Sequence, residues 1–138
     1  MKSSVRIGYS GKPLYQKLGI KEEHKARFID APEEYTSWLE IPFKITKAID
    51  TELANVVHIF SKEKATLQTY LSENRHQIQQ DGMIWVSWPK KASKVPTDIT
   101  EDTVRELAFP LGLVDIKVCS VSPVWSGLKV VIRKENRI

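Results

Sequence analysis

A chain of 138 residues with 41% hydrophobic and 28% charged residues can bury the core of one domain, which excludes a wholly disordered protein. Its net charge of +4 is compatible with an anionic partner, but so modest a balance does not predict a nucleic-acid partner. No apolar run approaches the roughly 18 residues of a membrane span, and the lone Cys119 excludes an intramolecular disulfide. We therefore expect a soluble, cytoplasmic protein with no membrane partner.

The beginning of the chain is punctuated by glycines and a proline. Residues 1–12 predict an N-terminal arm or loop on a single α/β domain that spans residues 1–138. Pro13 suits the first position of a helix and Gly19 suits its end, so the pattern predicts a short helix over residues 13–18.

The next elements are short. Residues 25–31 predict a first strand, which Pro32 ends. A helix over residues 33–39 follows from the acidic residues at its start and the proline beyond its end. Residues 43–49 have an ambiguous pattern, and we favour a short strand.

A long helix is predicted after a second clear strand. Residues 55–60 form an apolar, β-branched run of strand length, in which His58 is expected to be a hydrogen-bonded core residue. Ser61 is a good N-cap for a helix that runs to about Gln79, with Asp81-Gly82 as the turn out. The predicted buried face of this helix carries Leu67, Tyr70, Leu71 and Ile78.

Residues 83–88 are apolar apart from Ser87, and this lack of alternation predicts a central strand covered on both faces. Pro89 should end its pairing, because proline has no backbone N–H to donate. Residues 90–99 predict a lysine-bearing loop.

The last third of the chain predicts a helix and a hairpin. Thr100 should cap the helix, and Pro110 should shorten its last turn. Residues 113–121 alternate, with Val114, Ile116 and Val118 expected on one face. The connection to a strand over residues 125–134 is too short for a parallel return, so these two strands should be antiparallel.

This order of elements predicts a three-layer α/β fold with a mostly parallel, Rossmann-like sheet and a C-terminal antiparallel hairpin. The pattern over residues 50–134, together with the phrase Gln80-Asp81-Gly82-Met83, resembles the class I methyltransferase fold in a shortened form. That resemblance implies S-adenosylmethionine binding at a glycine-rich loop after the first strand. Residues 30–34 read Asp-Ala-Pro-Glu-Glu and lack glycine, so we expect no cofactor unless the protein is a divergent methyltransferase.

Three further segments are similar to one bacterial family. They are G-Y-S-G-K-P-L-Y-Q-K-L-G-I near the start, W-V-S-W-P-K-K-A-S-K-V-P-T-D-I-T-E-D-T-V-R-E in the middle, and L-G-L-V-D-I-K-V-C-S-V-S-P-V-W-S-G-L-K near the end. On these segments the chain is identified as a member of the family called domain of unknown function 3052. Membership in this family implies that the segments belong to one domain, and it implies no particular activity.

Ligands of open α/β sheets bind beyond the carboxyl ends of the parallel strands, so the loops there predict the site. Three lysines with nearby hydroxyl groups beside a helix N-terminus suit a phosphate or carboxylate anion. The candidate ligand-binding residues are Asp30, Ser61, Trp88, Lys90, Lys91, Ser93, Lys94, Thr97 and Asp98.

We predict neither catalytic residues nor a metal site. Ser87 lacks the flanking glycines of a nucleophile elbow, and His24, His58 and His76 have no metal-ligand spacing. The leading hypothesis is a non-catalytic module that binds a small anionic or nucleotide-like ligand. A divergent methyltransferase and a nucleic-acid- or protein-interaction module are the alternatives, and a homodimer is compatible with each of them.

Overall fold

Six strands form one mixed sheet in the computed structural model, which describes residues 11–138. They lie in the order β2-β1-β3-β4-β6-β5. The first four strands in the chain are mutually parallel, and β6 runs antiparallel to both of its neighbours. The strands are β1 (Lys25–Ile29), β2 (Thr46–Lys47), β3 (Ala54–Phe60), β4 (Ile78–Pro89), β5 (Leu113–Ser120) and β6 (Trp125–Ile132).

Helices cover both faces of this sheet, so the three-layer α/β prediction is confirmed. On one face, α1 and α2 share an apolar cluster with Trp85 of the central strand. On the other face, α3 and α4 pack against Ile84 and Val86. The helices are α1 (Leu14–Leu18), α2 (Tyr35–Leu39), α3 (Lys64–Arg75) and α4 (Glu101–Ala108). None of the helices within residues 11–138 is both long enough and apolar enough to cross a membrane.

Strand β4 is the centre of the fold. It lies between β3 and β6, and every residue from 83 to 88 is buried. Successive side chains of a strand point to opposite faces, so a strand covered by helices on both sides needs apolar residues at nearly every position. The prediction of a central strand is thereby confirmed, and Pro89 is its last paired residue, opposite Trp125.

The turn predicted at Asp81-Gly82 is wrong, as is the length of the helix before it. Helix α3 ends at Arg75, and Ile78 already pairs with Ala54 of β3. The register with β3 then shifts, so that residues 79–82 bulge within strand β4. A Cβ at Gly82 would approach three backbone carbonyl oxygens at 3.0 to 3.3 Å, so the bulge requires glycine there.

Ser61 is not the N-cap that its position suggested. Residue Glu63 occupies the cap position of α3, and the Ser61 hydroxyl instead accepts a hydrogen bond from the Glu63 backbone N–H at 3.2 Å. A carboxylate from elsewhere in the chain caps the helix, because Asp98 Oδ1 accepts from the Lys64 N–H at 2.7 Å.

The predictions for α4 are confirmed, and one for β5 needs correction. The Thr100 hydroxyl accepts from the Thr103 N–H in a capping box, and the last turn around Pro110 is a tight 3-10 turn. In β5, however, a bulge at Ile116 shifts the register with β6 and breaks the regular alternation. Ile116 and Val118 are therefore exposed and do not join the core. Most of the predicted arm, residues 1–12, lies outside the described residues.

Candidate ligand-binding site

Among the described residues, two clefts open at the carboxyl edge of the sheet, where one site was predicted. The first lies between the ends of β1 and β3, which are adjacent strands whose following helices cover opposite faces of the sheet. We call it the switch-point cleft; it has a volume of about 540 Å³ and is lined by Asp30, Pro32, Phe60, Ser61, Lys62, Glu63, Thr66 and Trp125.

The second cleft lies between the loop after β4 and the start of α4. We call it the lysine-loop cleft; its volume is about 600 Å³. Ser126 lines this cleft, whereas its neighbour Trp125 lines the switch-point cleft. Trp125 and Ser126 are consecutive in β6, and their side chains point to opposite sides of the sheet.

The predicted site residues are thus divided between two places. Asp30 and Ser61 line the switch-point cleft. Ser93 and Asp98 are outside the lining of both clefts. The others line the lysine-loop cleft and are Trp88, Lys90, Lys91, Lys94 and Thr97.

The polar end of the loop is bound to the start of α3. The Thr97 hydroxyl donates to the Lys62 carbonyl at 2.7 Å, and the Asp98 N–H donates to the same carbonyl at 3.2 Å. With the Asp98 cap on Lys64, these contacts join segments more than 30 residues apart in the chain. Thr97 and Asp98 therefore hold the loop in place, and their polar groups are occupied in doing so.

The beginning of the loop is bound to the hairpin. The Lys90 backbone N–H donates to the Val124 carbonyl at 2.7 Å, and its ammonium group donates to the Ser120 hydroxyl at 2.6 Å. The Ser93 hydroxyl donates to the Lys90 carbonyl at 2.7 Å and accepts from the Val95 N–H, which closes a local turn. The loop is thus fixed at both ends, and Ser93 stabilises a turn within it.

Two lysines are left for a ligand. Lys91 and Lys94 are exposed on the rim of the lysine-loop cleft, and neither forms an ion pair within the described residues. The acidic residue of the same cleft, Glu101, is paired with Arg105. Lys94 has a φ of 61°, a left-handed conformation that directs the chain back after the 3-10 turn.

The floor of the lysine-loop cleft is apolar. Trp88 lines it but is only 7% exposed, so the indole is a buried floor of the cleft. Val95, Pro96 and Ile99 complete this surface. The cleft therefore combines an apolar base with positive charge at its rim.

His58 belongs to a buried polar network that links three elements. Its Nδ1 is 2.6 Å from the Tyr35 hydroxyl on α2, and its Nε2 is 2.7 Å from the Ser87 hydroxyl on β4. Burial lowers the pKa of His58 to about 3, so its imidazole is neutral and offers one donor and one acceptor. This confirms the prediction of a hydrogen-bonded core histidine, although no sequence pattern indicated either partner.

The network also reaches the wall of the switch-point cleft. The His58 ring stacks on Phe60 at 4.3 Å between centroids, and Phe60 meets Trp125 edge-on at 5.2 Å. Burial raises the pKa of the Tyr35 hydroxyl well above its usual value. Burial also raises the pKa of the half-buried Cys119 thiol. Both groups keep their protons at neutral pH, as structural core residues do.

The fold is shared with methyltransferases. The ribosomal protein L11 methylase from Lactobacillus delbrueckii subsp. bulgaricus has a TM-score of 0.55 and 8% identity, with 86% of this chain and 74% of that chain covered. A S-adenosylmethionine-dependent methyltransferase from Clostridium acetobutylicum has a TM-score of 0.53 and 9% identity, covering 79% and 76%. LepI in complex with S-adenosylmethionine has a TM-score of 0.56 and 11% identity, covering 88% and 47%. Identities this low indicate the fold alone.

The residues of this chain do not fit S-adenosylmethionine in the usual manner. After β1, where a glycine-rich loop would approach the cofactor, Asp30 adopts a φ of 56° and its carboxylate accepts a hydrogen bond from the Tyr70 hydroxyl at 2.8 Å. Glu52, an acidic residue after the second strand, is paired with Lys25, which begins β1, and so lies at the opposite edge of the sheet. The described residues also contain no group of three side chains able to hold a metal ion.

Sequence comparison gives the family. No curated protein matches the chain. The family model described as protein of unknown function (DUF3052) matches residues 41–134, which include β2 to β6 and the whole lysine loop. The chain therefore belongs to the DUF3052 family.

Proposed function

We propose that this protein is a non-catalytic α/β module that binds a small anionic, nucleotide-like ligand in the lysine-loop cleft. One observation carries the proposal: Lys91 and Lys94, which form no ion pair with any residue from 11 to 138, lie on the rim of a cleft whose floor is apolar. A phosphate or carboxylate would meet the ammonium groups, and a flat apolar body would cover Val95 and Ile99.

The rigidity of the loop supports binding. The loop is held at one end by Lys90 and at the other by Thr97 and Asp98, so its lysines are presented without a large ordering cost. A flexible, solvated lysine loop would not need so many long-range hydrogen bonds.

The same contacts argue against catalysis in this cleft. A general acid or base must be free to exchange a proton with the substrate. Thr97 donates to a backbone carbonyl, Thr100 is engaged in the α4 cap, and Glu101 is paired with Arg105. These polar side chains are occupied, which leaves lysines suited to binding.

Isothermal titration calorimetry with ADP, inorganic phosphate and a dicarboxylate such as succinate tests the proposal. We expect binding by wild type and at least a tenfold loss in the Lys91→Gln/Lys94→Gln double variant. Lys62→Gln is the matched control, because this lysine lines the switch-point cleft instead. If all three ligands fail to bind wild type at millimolar concentration, the anion-binding function is wrong.

The second candidate function is a divergent S-adenosylmethionine-dependent methyltransferase. The shared fold and the switch-point cleft of about 540 Å³ favour it, and the conformation and hydrogen bond of Asp30 oppose it. Titration with S-adenosylmethionine and S-adenosylhomocysteine separates the two candidates. Micromolar affinity that Lys62→Gln weakens and Lys91→Gln/Lys94→Gln leaves intact would place binding in the switch-point cleft and favour the methyltransferase.

A further inference from the structure

Strand β5 forms one edge of the sheet. Within residues 11–138 it pairs with β6 alone, so its outer row of backbone N–H and C=O groups has no strand partner there. The bulge at Ile116 interrupts the row, whereas Lys117, Val118, Cys119 and Ser120 keep a regular register with β6. A regular, unpaired edge of this length can accept another extended chain.

The two sides of this edge differ in chemistry. On the side of α3 and α4, Val118 is 47% exposed and lies opposite Leu128. Ile116, in the adjacent bulge, is 52% exposed. On the side of α1 and α2, Lys117 lies directly opposite Lys129. Within residues 117–120, the exposed side chain on the side of α3 and α4 is the apolar Val118, and the exposed side chain on the side of α1 and α2 is the cationic Lys117.

The lysine side carries uncompensated charge. Like charges directly opposite each other on paired strands destabilise a sheet. Lys129 is half-buried, and its pKa is lowered by burial first and by Lys117 second. Lys17 of α1 and Lys117 both act electrostatically on Cys119 between them. None of these three lysines has an ion-pair partner in the described part of the chain.

We propose that residues 117–120 of β5 dock an extended segment of a partner protein, in which acidic side chains alternate with apolar ones. The segment adds as a strand beside β5. Its carboxylates meet Lys117 and Lys129, and its apolar side chains cover Val118 and Ile116. This surface is distinct from the lysine-loop cleft and does not depend on the function proposed for that cleft.

The charge pattern selects this occupant over two others. Pairing β5 with β5 of a second copy would bring two sets of the same lysines together, which is electrostatically unfavourable. A nucleic-acid backbone would neutralise the lysines, but its phosphates offer nothing to the exposed Val118 and Ile116. An alternating acidic and apolar strand satisfies both sides at once, because side chains of a strand alternate between its faces.

Fluorescence anisotropy with labelled octapeptides tests the proposal. The probe alternates glutamate and valine, and the composition-matched control has four glutamates followed by four valines. We expect the alternating peptide to bind wild type at least tenfold more tightly than the block peptide. Lys117→Glu/Lys129→Glu should lose at least tenfold with this probe and gain affinity for an alternating lysine and valine peptide.

Lys62→Glu/Lys134→Glu is the matched control, because it makes the same charge change at exposed positions elsewhere. Circular dichroism melts establish that each variant is folded. Calorimetry should give the same ADP affinity for Lys117→Glu/Lys129→Glu as for wild type, which separates this surface from the lysine-loop cleft. Equal affinity for the alternating and block peptides would overturn the proposal. So would tighter binding of a single-stranded RNA octamer, or a dimer in sedimentation that Lys117→Glu/Lys129→Glu abolishes.

Discussion

Two polar clusters of this sheet differ in whether their groups have partners inside the protein. The network of Tyr35, His58 and Ser87 is buried, and each of its polar groups has a partner inside the protein. The lysine loop presents Lys91 and Lys94 without any ion pair among the described residues. Ser87 and Lys91 are only four residues apart in the chain, so burial within the sheet, and not the local sequence, decides whether a polar group has a partner inside the protein.

The largest effect is expected in the buried network. His58→Leu leaves the Tyr35 and Ser87 hydroxyl groups buried without the ring that bonds both, so we expect a loss of about 3 kcal/mol in the free energy of unfolding. Urea denaturation measures it. His76→Gln changes an exposed histidine and should stay within about 0.5 kcal/mol of wild type. A loss below about 1 kcal/mol for His58→Leu would mean that the network contributes little to stability.

The same network predicts a pH dependence. The pKa of His58 is about 3 in the folded protein and near 6.5 when unfolded. Above pH 6.5 both states are neutral and the full stability is present. Below it the unfolded state takes up a proton first, so stability falls by about 1.4 kcal/mol per pH unit. The free energy of unfolding, measured by urea denaturation between pH 7 and pH 5, should fall by about 2 kcal/mol more in wild type than in His58→Leu. An equal fall in the two proteins would contradict the lowered pKa of His58.

An intermediate effect is expected at the end of the lysine loop. Asp98→Ala removes the cap on α3, and we expect a loss of about 1 kcal/mol in the free energy of unfolding by urea denaturation. Binding of ADP should weaken as well, since the loop loses an attachment. Asp50→Ala, at an exposed position, is the control. A loss as small as that of the control would show that Asp98 is not a significant cap.

The smallest effect on stability is expected at the lysines themselves. Lys91→Gln/Lys94→Gln removes no ion pair of the described part of the chain, so the free energy of unfolding should change by less than about 0.5 kcal/mol. Ligand binding should nevertheless fall at least tenfold. Measuring both quantities on the same variant sharpens the contrast with His58→Leu, for which we expect the main effect to be a loss of stability. A large loss of stability in the lysine variant would remove that contrast.

Much of the fold could be predicted because its signals are local. The unbroken apolar run of residues 83–88 indicated a strand covered on both faces, and Thr100 indicated the start of α4. The short connection after β5 required an antiparallel hairpin. Hydrophobic periodicity, helix caps and loop lengths depend on a few neighbouring residues, so they can be recognised in the sequence without knowledge of the tertiary structure.

The division of the site was decided by the tertiary structure. The sequence predicted one site of nine residues, whereas the structure divides most of them between two clefts, with the consecutive residues Trp125 and Ser126 in different linings. Whether Asp98 would bind a ligand or cap α3 depended on a contact with Lys64, 34 residues away.

The sequence by itself therefore determined the order of elements, the central strand and the segment that bears the lysines. The tertiary structure alone decided which of the polar side chains have partners inside the protein and which are exposed without one among the described residues. A side chain's hydrogen-bonding partners depend on strand register and on contacts between distant segments, as the bonds from His58 to Tyr35 and Ser87 illustrate. No local pattern encodes such contacts, because they exist only once the sheet has formed.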